Sequence, residues 1–129
     1  MGTTLFEFDN RFDKDTIVSM FDGDMEHAEM IFEQFVLHTP SQVSLAKEAY
    51  QAGIVEPFRQ ILHKLKPVFG FIGVPSLLEN ITTIEHKCKS INSFAEVDLA
   101  YKKFNEDYAI YFPIIENELE RLKKFNAEN

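Results

Sequence analysis

Tryptophan is absent from the 129 residues and cysteine occurs once, at Cys88. A lone thiol closes no internal disulfide and builds no thiolate metal site, so a reducing, cytoplasmic setting is the expected one. Glycine and proline number five each, too few turn formers for a many-stranded β fold. No apolar run approaches the ~18–20 residues that cross a bilayer, and no basic-then-apolar signal segment opens the chain. Internal repeats and low-complexity tracts are missing too. Basic residues are outnumbered, 13 against 21, for a net charge of −8. That balance argues against a nucleic-acid backbone or an anionic membrane as the main partner.

What is present is globular. Hydrophobic residues make up 45% and charged residues 26%, and the length suits one domain with a real core. The charge is uneven. Residues 59–89 carry Arg59, Lys64, Lys66, Lys87 and Lys89 against only Glu79 and Glu85, whereas the remainder holds eight basic and nineteen acidic residues.

The apolar spacing is helical. Residues 13–21 read as a short helix ended by Asp22-Gly23, and Asp24 suits the N-cap of the next. That helix carries Ala28, Ile31, Phe32, Phe35 and Val36 on one face, with a kink or break expected at Thr39-Pro40. Pro57 and Pro75 suit the first turns of a third and a fourth helix. The fourth buries Leu77, Leu78, Ile81, Ile84, Cys88 and Ile91. Ser93 is the expected cap of a long last helix, whose aromatic stripe (Phe104, Tyr108, Tyr111, Phe112) reads as core and which Pro113 would bend. Short connections favour antiparallel neighbours. The expectation is an all-α, antiparallel up-down four-helix bundle with a short extra N-terminal helix. Residues 13–129 form the bundle, and residues 1–12 pack on it through their phenylalanines.

Residues 59–73 carry the chemistry. With His63 at zero and about 100° per residue, Phe58, Ile61, Leu62, Leu65, Val68, Phe69 and Ile72 fall on the far, core half. Arg59, Lys66, Gly70 and Gly73 fall on the near half, and Phe71 flanks them. The imidazole therefore points to solvent between cations one turn before and after it. Each helical glycine costs about 0.5–1 kcal/mol relative to alanine, so two on one face suggest a close approach to the backbone. Pro67 leaves the His63 carbonyl without its helical donor, and a kink is expected there. A neutral imidazole near pH 7 is a competent nucleophile. Such a histidine suits accepting and donating a phosphoryl group, with Lys66 and Arg59 offsetting the added charge.

His63-Lys64-Leu65-Lys66-Pro67, with Ile72-Gly73 ten residues on and then Leu77, resembles the histidine-containing phosphotransfer (HPt) domain. The family pattern is roughly H-x-L-K-G, five residues, then glycine and a leucine-bearing helix; Pro67 stands where the family often has glycine. Phe21-Asp22-Gly23-Asp24 before an amphipathic helix resembles the usual approach to the motif, and the resemblance covers about residues 13–125. It implies a four-helix bundle with an exposed active histidine, no cofactor, no metal and no ATP site. Its partners would be receiver domains of response regulators or hybrid histidine kinases, and the protein would relay phosphate between their aspartates as a monomer. By position, His63 would be phosphorylated, Lys66 would neutralise the phosphate and Gly73 would leave room for the receiver. Arg59, Lys64, Gly70 and Phe71 would belong to the docking face. Glu85 and Lys89, four apart on one helical face, would either flank His63, with Glu85 orienting the ring, or form an ordinary surface pair.

Three other readings compete. A metal–carboxylate bundle needs Glu-x-x-His pairs, and none of the four histidines has one. The phosphoacceptor helix of a sensor kinase usually has an acidic residue after its histidine, where Lys64 stands. A non-catalytic adaptor would bind a signalling partner through the same face, with an exposed Phe71 in the docking patch.

Overall fold

A computed structural model describes residues 5–129. Two aspartates start the first two helices. Asp13 accepts the Thr16 amide and hydroxyl, the latter at 2.7 Å, to open α1 (Lys14–Phe21). Asp24 accepts the His27 amide at 3.0 Å to open α2 (Met25–Gln51). In each case a side-chain oxygen satisfies an amide that the first turn leaves unpaired. Then follow α3 (Val55–Phe71), α4 (Pro75–Lys87), a single 3-10 turn (Phe94–Glu96) and α5 (Asp98–Glu128). The fold is all-α, with no strand among the described residues. The turns from α1 to α2, α2 to α3 and α3 to α4 take three residues each. Helix α2 packs on α3 and α5, and α4 packs on the same two.

Three prolines lie inside helices, and the boundaries around residues 88–98 depart from expectation. Helix α2 continues through Pro40, α3 through Pro67 and α5 through Pro113. Proline in a helix interior costs about 3 kcal/mol. Around Pro40 the apolar face is buried on both sides, with Phe32, Phe35 and Thr39 before it and Ala46 and Ala49 after; this packing outweighs the missing bond. The Ser41 hydroxyl also donates to the His38 carbonyl at 3.0 Å. Helix α4 ends at Lys87, so Cys88 is its buried C-cap and Ile91 lies beyond it. Ser93 precedes the 3-10 turn without a side-chain capping bond, and α5 begins four residues later than a Ser93 cap would place it.

The core is phenylalanine-rich. Phe32, Phe35, Phe58, Phe69 and Phe104 are all fully buried, each such burial contributing about 1.5–3 kcal/mol. Phe35 and Phe104 both meet Phe69 edge-on, at 5.4 and 5.6 Å, the geometry that ring quadrupoles favour. Residues 1–4 of the N-terminal segment lie outside the described residues. Beyond them Phe8 and Phe12 are buried and meet Phe32 at 6.0 and 5.6 Å. Buried Glu118 of α5 accepts the Asp9 amide at 2.6 Å and pairs with Arg121, which donates in turn to the Glu7 carbonyl at 2.8 Å. The Arg11 guanidinium holds the Asp9 carboxyl far below the usual carboxylate range. Among the described residues, no helix is long and apolar enough to cross a membrane.

Candidate functional site

The α3 stripe settles where His63 points. Phe58, Leu62, Leu65 and Phe69 are buried, which turns the opposite face outward. The His63 side chain is 65% exposed there, as the wheel predicts. Helix α4 packs on α3 and brings Glu85 beneath the histidine. Glu85 is the buried residue of the cluster, at 1% exposure.

Four basic side chains converge on its carboxylate. The Lys66 ammonium donates to Oε1 at 2.9 Å, and His63 Nδ1 stands 3.7 Å from the same oxygen. Arg59 Nη1 reaches Oε2 at 3.5 Å and Lys89 Nζ stands 3.9 Å from it. Glu56, one turn before Arg59, also takes that guanidinium. At 3.7 Å the histidine contact is an ion-pair distance rather than a hydrogen bond. It puts Nδ1 on the carboxylate side, which leaves Nε2 as the outward nitrogen. An unpaired buried carboxylate would cost several kcal/mol. The Lys66 hydrogen bond and charge hold Glu85 below the usual range, against the opposing pull of burial. The rim is therefore cationic around a buried anion, and the imidazole is its most exposed member.

The other expected residues divide. Lys64 and Phe71, the latter 45% exposed, do not touch Glu85. They line an apolar cleft of about 500 Å³ between α2 and α3, with Met30, His38 and Val68. Gly70 is a half-exposed helical residue. A Cβ there would meet nothing closer than Leu78 Cδ2 at 4.0 Å. Gly73 must be corrected as a docking residue. It lies past the end of α3, is buried, and has φ +74°. A Cβ there would sit 2.5 Å from Ile17 Cδ1, and its carbonyl accepts the Asp13 amide at 2.8 Å. Its bareness accommodates α1, not a partner.

Lys89 also lies beyond the end of α4 rather than on it, yet still reaches Glu85. The burial of Glu85 escapes sequence reading, because i, i+4 spacing with Lys89 is what a surface pair shows. Its one visible signal is its place beside Ile81, Ile84 and Cys88 on the buried stripe. Glu56 has a plainer signal, its i, i+3 spacing to Arg59. Among the described residues no group of three His, Cys, Asp or Glu side chains could hold a metal ion. The Cys88 thiol is pushed up to about 11 by burial, which leaves it protonated and inert. No family model, curated protein or solved structure matches the chain.

Proposed function

We propose that this protein is a histidine phosphotransfer protein, an antiparallel up-down four-helix bundle whose His63 relays a phosphoryl group between receiver-domain aspartates. The carrying observation is an imidazole 65% exposed whose Nδ1 stands 3.7 Å from buried Glu85, the carboxylate that Arg59, Lys66 and Lys89 also pair with. A carboxylate beside Nδ1 favours the tautomer with its proton there, which keeps the Nε2 lone pair free. In the forward step Nε2 bonds the phosphorus of an aspartyl phosphate. The P–O bond breaks, and its electron pair returns to the aspartate carboxylate. Lys66 lies one turn from His63 and screens the charge that arrives. The protein would work as a cytoplasmic monomer without kinase activity of its own.

The cleft beside Phe71 also suits a non-catalytic adaptor that docks a partner through this face. The two readings part on chemistry. A receiver domain charged with acetyl phosphate is mixed with the wild type and with His63→Gln. Acid-labile phosphate on the wild type alone is the expected result. Label retained by the variant would remove His63 from the role, and label on neither protein would favour the adaptor.

A further inference from the structure

Glu85 does more than a ring holder needs. A neutral amide could accept a ring N–H without bringing a buried charge that three cations must offset. We propose that Glu85 competes with the phosphoryl group on His63 for Lys66, Arg59 and Lys89, and so keeps the phosphohistidine at high transfer potential. Phosphate then passes through the protein rather than being stored on it. This inference rests on the phosphotransfer reading.

In the free protein the cations are already committed, with Lys66 at 2.9 Å and Arg59 and Lys89 at 3.5 and 3.9 Å from the same carboxylate. A phosphoryl group brings strong negative charge and three acceptor oxygens beside them. Lysine stems are flexible enough to turn toward it. Glu85, 1% exposed, cannot turn to water in exchange. Each cation that moves leaves a buried carboxylate underpaired, and each that stays leaves the phosphate unscreened. Glu56 claims Arg59 as well. Among the described residues no ion pair reaches Glu85 from α2 or α5, so the competition is confined to this cluster.

A second effect has the same sign. A carboxylate beside Nδ1 favours the ring proton at that nitrogen rather than at Nε2. When the Nε2–P bond breaks, the electron pair returns to Nε2 and a neutral imidazole with its Nδ1 proton departs. An acceptor oxygen takes the phosphorus, and no proton has to move. Without the Nδ1 proton the leaving group would be an imidazolate, which is far poorer.

The test compares wild type, Glu85→Gln and Lys89→Met. Each is equilibrated with a receiver domain charged with acetyl phosphate, and aspartyl and histidyl phosphate are separated by their acid and base lability. Each is also charged directly with phosphoramidate, and the half-life of its phosphohistidine is followed from pH 6 to 9. Glu85→Gln should shift the partition toward histidine by about fivefold to tenfold, the size of one screened charge contact. Its phosphohistidine should live longer across that pH range. Lys89→Met, at an exposed rim position, should shift the partition the other way by about twofold. An unchanged partition and half-life in Glu85→Gln, with wild-type His63 phosphorylated normally, overturns this inference and leaves the relay standing. If Glu85→Gln does not fold, an unchanged partition in Lys89→Met overturns it. A wild-type His63 that takes phosphate from neither donor overturns both readings.

Discussion

Gly70 and Gly73 stand three residues apart, yet their surroundings demand opposite things. At Gly73 an added methyl group meets Ile17 at 2.5 Å on a backbone with φ +74°. Left-handed strain and overpacking add, so Gly73→Ala should lose about 2–4 kcal/mol. At Gly70 the same methyl enters a helix with no neighbour nearer than 4.0 Å, and Gly70→Ala should gain about 0.5–1 kcal/mol. Urea unfolding of the two variants checks both signs. Receiver-dependent phosphorylation adds a functional readout. Gly70→Ala should slow it despite the gain in stability, because bare backbone beside His63 is useful only to an approaching partner. If Gly70→Ala transfers at the wild-type rate, the close-approach role of that face is lost. The sequence shows both glycines on the histidine side of one wheel. It does not show that the helix stops between them, nor that α1, some 56 positions earlier in the chain, fills the space at the second.

At the scale of helices, Pro40 is the sharpest conflict between local preference and packing. Its ring removes the donor to the Val36 carbonyl, and its own surface is exposed, so no packing is lost on replacement. Pro40→Ala should raise stability by about 1–3 kcal/mol, read as a higher thermal midpoint with unchanged phosphorylation. No gain would mean that the backbone around residue 40 is already relaxed by other bonds. The same tension decides what is legible in the chain. Asp24 caps its helix where its spacing predicts, and Asp13 caps the helix read from that position, because capping is settled within four residues. The apolar stripes of α3 and α4 are legible because period 3.6 is local too. Of the kink or break expected at Thr39-Pro40, the break does not occur, because the deciding term is burial against α3 and α5, which no local pattern contains. Ser93 fails as a helix cap for the same reason: Phe94 is drawn onto Tyr50 at 4.4 Å and Phe58 at 5.0 Å, so a 3-10 turn forms before α5 starts. Within the site, His63, Lys66 and Arg59 are legible as one outward row. Glu85 is legible only as a neighbour, since its role depends on how α4 lies on α3.

Across the whole molecule, net charge and local charge have opposite signs. The chain carries −8, yet Arg59, His63, Lys66 and Lys89 gather round one buried carboxylate, with Lys64 on the adjoining cleft. A phosphorylated carboxylate on an incoming domain is anionic at the reacting face. It would be repelled by most of this surface and attracted by one part of it, so on the proposed reading the field would orient the encounter. Such steering acts on association and is screened over about 10 Å at 0.1 M salt. Raising ionic strength from about 0.05 to 0.5 M should therefore slow receiver-dependent phosphorylation of His63 at limiting concentrations, by about tenfold. Phosphorylation by phosphoramidate, a small donor with little orientation to gain, should change far less. Lys64→Glu isolates the effect: it lies outside the Glu85 cluster, so it should lower the association rate and flatten the salt dependence while leaving the phosphohistidine half-life unchanged. Stopped-flow mixing at several salt concentrations reads all three quantities. Equal salt slopes for the receiver and for phosphoramidate would show that this cationic patch does not guide the partner, and that its charges serve only to neutralise Glu85 and the transferred group.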